Sequence, residues 1–126
     1  MVKIYLRSIK CDLGKGNDYC LAMRDSNGNE GTNNLVTAVS GGSKVMWDLE
    51  KDSGIKCVSR IWSETTKSKV FKNEPKKILF KVGFQVDLVD FETELEEKYN
   101  IEYILKDETK VIIDPYIRIL PPPPTK

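Results

Sequence analysis

Hydrophobic and polar residues alternate with a period of two along most of this chain, the pattern of strands with one buried face. Val2, Ile4 and Leu6 fall in one phase, and Lys3, Tyr5 and Arg7 in the other. Tyr19 to Met23 is a second short candidate strand. Leu35 to Val39 and Lys44 to Leu49 flank Ser40-Gly41-Gly42-Ser43, which predicts a hairpin closed by a glycine turn. Val45, Trp47 and Leu49 share one face of its second arm, and Ile55 to Ser63 follows the turn Lys51-Asp52-Ser53-Gly54. The longest alternation places Ile78, Phe80, Val82, Phe84, Val86 and Leu88 on one side of a single strand. Gly83 interrupts its polar side and marks a bulge or a close backbone approach. Tyr99, Ile101 and Tyr103 then alternate with Asn100 and Glu102. Lys110 to Asp114 runs into Pro115, where the missing N–H predicts a bend or an edge. Helical character is confined to Phe91 to Tyr99, a stretch too short to hold a helix unaided.

About eight short strands separated by turns predict an all-β fold, a two-sheet antiparallel β-sandwich of jelly-roll or Ig-like type. The expected organisation is a single domain over residues 1–120 and a proline-rich tail over 121–126, where Pro121 to Pro124 favour polyproline II. The expected interior contains Trp47, Phe80, Phe84, Val86, Tyr103, Ile113 and Ile117. A chain of 126 residues buries enough surface to fold without a metal or a disulfide.

Charge narrows the choice of partners. Lys and Arg number 20 against 19 Asp and Glu, for a net charge of +1. Nucleic acid and anionic membranes both require a basic excess, so neither is expected as a partner. Near-neutrality also weakens the repulsion that keeps copies apart. Met1 to Lys10 lacks the apolar core of a leader, and no apolar run is long enough to span a bilayer. Cys11, Cys20 and Cys57 are odd in number and lack CxxC spacing. They read as three free thiols in a reducing cytoplasm, with a Cys11–Cys20 bridge as the alternative.

The chain contains no histidine, which removes the commonest general base and zinc ligand. No catalytic residue, metal site or cofactor is therefore expected. Asp25, Asn27 and Asn29 imitate the first calcium ligands of an EF-hand, but Glu30 replaces the required glycine and Val36 the final glutamate. Gly14-Lys15-Gly16 lacks the frame of a phosphate loop. Asp25, Asn27, Asn29 and Asn33 offer donors and acceptors suited to sugar hydroxyls, with Trp62 as a stacking surface. Trp47, in phase with Val45 and Leu49, reads as core. Asp87, Asp90, Glu92, Glu94, Glu96 and Glu97 form an acidic run, and Lys67, Lys69, Lys72, Lys76 and Lys77 a basic one. Patches of opposite sign can pair between copies.

Several segments, in order, resemble the family of bacterial inclusion-body proteins that includes PixA and AidA. They are Asn17-Asp18-Tyr19 with Met23, Gly31, Leu35-Val36-Thr37 with Val39, Gly42, and Val45-x-Trp47. Ile55, Phe71 with Pro75, Gly83 with Val86, Tyr99-x-Ile101 and Ile113-Asp114-Pro115-Tyr116-Ile117 follow. Together they cover roughly residues 17 to 119. The resemblance implies a cytoplasmic, non-enzymatic β-sandwich that accumulates as ordered inclusions, with sugar binding suspected for some members. The leading expectation is thus a self-associating protein whose partner is itself. Val2, Ile4 and Leu6 would form the pairing edge, since that strand carries no proline. A carbohydrate-binding module using the Asn/Asp/Gly loop over residues 25–34 is the alternative. A third reading has the tail dock in an aromatic groove on another protein.

Overall fold

The computed structural model describes residues 1–10, 19–32, 35–78, 83–90 and 94–120. Eleven strands form among them, divided between two sheets. The first sheet contains β1 (Val2–Lys10), β2 (Tyr19–Asp25), β3 (Glu30–Gly31), β5 (Lys44–Leu49), β7 (Lys76–Lys77) and β8 (Phe84–Asp87), in the order β3-β2-β1-β5-β8-β7. The second contains β4 (Val36–Ser40), β6 (Ile55–Ser63), β9 (Leu95–Leu105), β10 (Lys110–Ile113) and β11 (Tyr116–Leu120). Both β10 and β11 pair with β9 in one uninterrupted register, Ile113 opposite Ile101 and Tyr116 opposite Lys98. They are one strand broken at Asp114-Pro115. Pro115 has no N–H to give there, but its carbonyl still accepts the Tyr99 N–H at 3.0 Å. Space is therefore ordered β6, β9, β10/β11, β4.

The two inner faces meet in a single apolar core. Trp47 of the first sheet donates its Nε1–H to the Tyr99 hydroxyl of the second at 3.1 Å. Phe71 stands edge-on to both rings, with centroids 6.2 Å and 5.8 Å away. Trp47, Phe84, Val86, Tyr103, Ile113 and Ile117 are buried as the alternation predicts. Phe80 lies outside the described residues, as does the proline-rich tail.

The all-β, two-layer reading holds, but the layers are not purely antiparallel. β1 runs parallel to β5, and β11 parallel to β4. The cause is at Ser40 to Ser43. Thr37 and Val39 on one side of that turn and Val45 and Trp47 on the other are all buried. Both arms must face the same core from opposite layers, so the glycine turn, with Gly42 at φ +76°, is a corner between sheets and not a hairpin.

Three other expectations change. The alternation from Lys77 to Leu88 is not one strand; β7 and β8 fold back on each other, with the Ile78 N–H bonded to the Gly83 carbonyl at 2.9 Å. The described part of the expected helix, Glu94 to Tyr99, enters strand β9, because Leu95, Glu97 and Tyr99 share the phase of the buried Ile101. Lastly, β1 is not an edge. β2 flanks it on one side and β5 on the other, and Val2, Ile4 and Leu6 are core residues. With its backbone groups consumed on both sides, it has none to offer a second copy. An Ile4→Pro change would therefore break the fold rather than an interface.

Candidate functional site

Among the described residues β6 is the long edge of the second sheet that no further strand covers. Tyr99 and Leu105 point their N–H groups at Pro115 and Thr109, on the far side of β9. Their pairing partners Ser63 and Ile55, and by the same alternation Ile61 and Val58, therefore turn their backbone groups away from β9. Register shifts between Ile55 and Cys57 and between Val58 and Arg60 kink this edge, and Lys56 and Arg60 are exposed along it. Kinks and cations of this kind oppose indiscriminate strand addition.

Beyond Ser63 the chain makes a loop over residues 64–75. Its shape is set from inside by Glu97, whose residue is only 8% exposed. Ser68 Oγ donates to Glu97 Oε2 at 2.5 Å and the Lys69 N–H to Oε1 at 2.9 Å. Ser68 Oγ accepts in turn from the N–H groups of Val70 and Phe71, at 3.2 Å and 2.9 Å. A buried carboxylate is tolerated because its oxygens are supplied with donors. The return of the loop is tied to the first sheet, where the Val70 carbonyl accepts from Val89 at 2.8 Å and the Lys72 N–H donates to Asp87 at 3.0 Å.

Between β6 and this loop lies an open groove of about 550 Å³. Arg60, Trp62 and Ser63 of β6 line it together with Thr65, Thr66 and Lys67 of the loop. Lys72, Asn73 and Glu74, further along the loop, line it as well. The half-buried Trp62 ring carries the Arg60 guanidinium 4.6 Å from its centroid. Arg60 Nη2 also reaches Glu74 Oε1 at 2.6 Å, and that hydrogen bond raises its pKa above the ordinary arginine value. The groove thus combines an aromatic surface, hydroxyl and amide groups and ammonium donors. Among the described residues no cluster of three His, Cys, Asp or Glu could hold a metal ion.

The other expected ligand residues lie elsewhere: Asp25 is buried, while Asn27 and Asn29 are exposed. Asp25 is 3% exposed, and its Oδ1 accepts the N–H groups of Asn27 and Asn29 at 2.9 Å and 3.0 Å. Asn27 Nδ2 donates to the Ala38 carbonyl at 3.1 Å, on the outer side of β4. These side chains shape the β2–β3 turn and cover a strand edge, as Asx-type turns do. None of them lines the groove that holds Trp62. Asn33 lies outside the described residues.

Sequence reasoning placed Trp62 near a surface but missed Arg60, the loop after Ser63 and Glu97. The available signal was phase: counting back by twos from Ile101 puts Glu97 inside the sandwich. The thiol expectation is overturned. Cys20 is disulfide-bonded and Cys57 is free, while Cys11 lies outside the described residues. Among the described residues no helix is long and apolar enough to cross a membrane. No family model matches this chain, and neither does any curated protein.

Proposed function

We propose that the protein is a non-enzymatic binding module that takes a carbohydrate in the groove beside Trp62. The observation that carries this reading is a half-buried indole set among Ser63, Thr65, Thr66 and Asn73 in one concavity. Pyranose rings present an apolar face and a rim of hydroxyls, and such a wall meets both needs. A histidine-free chain favours binding over catalysis. The Cys20 disulfide favours an oxidising compartment over the cytoplasm. A glycan array probed with the wild type and Trp62→Ala tests the reading. Binding by the wild type that falls more than about tenfold in the variant is expected. Failure of the wild type to bind any glycan would sink it.

One observation favours self-association as a second reading. The outer side of β6 leaves backbone groups at Val58, Ile61 and Ser63 without strand partners among the described residues. A second copy of β6 could add there, and a net charge of +1 offers little opposition. Light scattering across a concentration series decides the matter. A strictly monomeric protein at high micromolar concentration would remove this reading.

A further inference from the structure

The lysines around the groove differ from most basic residues elsewhere on the surface. Arg7, Arg24, Lys98, Lys110 and Arg118 each make an ion pair. Lys67, Lys69, Lys72, Lys76 and Lys77 are exposed, and none of them makes an ion pair among the described residues. Of the acidic run, Asp87 is the one member among the described residues that lines either depression, and it makes no ion pair there. Glu94 and Glu96 are held by Arg118 across the sheet, and Glu97 is turned into the protein.

The site is also longer than the groove. A second depression of about 190 Å³ shares Asn73 and Glu74 with it and adds Lys44, Lys76 and Asp87. Along the two, five cationic side chains (Arg60, Lys67, Lys72, Lys44 and Lys76) face three carboxylates (Glu64, Glu74 and Asp87). Glu74 is already bound to Arg60. The lining therefore carries unneutralised positive charge along an extended track, although the whole chain is nearly neutral.

Resting on the carbohydrate reading, we propose that the ligand is an acidic polysaccharide segment, its carboxylates or sulfates met by Lys67, Lys72 and Lys76 while one ring packs beside Trp62. Length is favoured because the two depressions share a wall. A saccharide is favoured over single-stranded nucleic acid because Trp62 is the one exposed or half-buried aromatic side chain in the lining of the two depressions. Strand-binding proteins stack successive bases on several such rings.

The test is titration of the full chain with a hexauronate oligosaccharide, a neutral glucan hexamer and a single-stranded DNA hexamer, read by tryptophan fluorescence. Trp47 is buried, so the signal reports Trp62. Hexauronate is expected to bind at least tenfold more tightly than the neutral hexamer. Its affinity should fall severalfold between about 0.05 M and about 0.5 M salt, as the Debye length shortens. Lys67→Gln with Lys72→Gln should weaken hexauronate about tenfold and the neutral hexamer by less than about threefold. Both lysines are exposed, so the variant should fold, and an unchanged melting temperature verifies it. Equal binding of the two hexamers, insensitive to salt and to the lysines, would overturn the acidic assignment and leave the carbohydrate reading standing. No binding of either would overturn both. Tighter binding of the DNA would overturn the choice of a saccharide.

Discussion

Two tyrosines on β9 share one interior and differ in a single hydrogen bond. Tyr99 Oη accepts from Trp47, whereas the buried Tyr103 Oη has no partner among the described residues. Tyr99→Phe should cost about 1–3 kcal/mol, because it leaves the indole N–H buried and unpaired. Tyr103→Phe should be neutral or stabilise by about 1 kcal/mol, since it removes a hydroxyl that was desolvated for nothing. Urea denaturation of the two variants at neutral pH checks the contrast. Burial pushes the Tyr103 phenol up to about 12. It pushes Tyr99 higher still, with the Trp47 hydrogen bond working against it. An exposed phenol in the unfolded chain ionises near 10. The unfolded state therefore loses its protons first, and the native state holds them through the window above pH ~10. Stability should be flat below that pH, then fall by about 1.4 kcal/mol per pH unit for each phenol toward pH ~12. Repeating the melts at pH ~9 and pH ~11 measures the slope, and Tyr103→Phe should reduce it by one phenol's share.

At the scale of elements, alternation reported which face of a strand is buried but not which sheet the strand joins. That is why Trp47, Phe84, Val86 and Tyr103 were readable as core from phase alone. It is also why Ser40 to Ser43 read as a hairpin when β4 and β5 lie in different sheets. Gly83 was legible as a close approach. A Cβ there would sit 2.5 Å from the Trp47 carbonyl oxygen on neighbouring β5. Gly83→Ala should therefore cost about 1–3 kcal/mol as β5 and β8 are forced apart, which thermal melting would register. The groove was far less legible. Thr65 to Lys72 has no period, and its course depends on Glu97, which local propensity assigned to a helix. Glu97→Ala should leave Ser68 and the Lys69 N–H without their acceptor. Amide exchange at Lys69 to Phe71 should accelerate, while Ile101 to Leu105 remain protected. Equal acceleration in both segments would mean that Glu97 supports the whole sandwich and not the groove wall.

For the molecule as a whole, the disulfide at Cys20 gives a stability that depends on redox conditions. A thiol titration under denaturing, non-reducing conditions should find fewer than three reactive groups. A reductant should lower stability by about 2–4 kcal/mol. Three reactive thiols in freshly isolated protein would restore the cytoplasmic reading. The edges are unequal as well: β3 and β7, which close the first sheet, have two residues each, whereas β6 has nine. Among the described residues β6 is thus the longest edge in either sheet, ahead of the five-residue β4. The parallel pairing of β4 with β11 bears on how the molecule comes into being. Among the described residues the sole strand partner of β4 is β11, with Val36 opposite Tyr116. A chain leaving the ribosome must carry β4 unpaired until β11 has emerged. Contacts so distant in sequence place folding in the slow regime of milliseconds to seconds. The nascent chain is then at its most adhesive in the interval before β11 emerges, so the rate of synthesis and the crowding around it, as much as the finished surface, govern whether copies meet as folded bodies or as open strands.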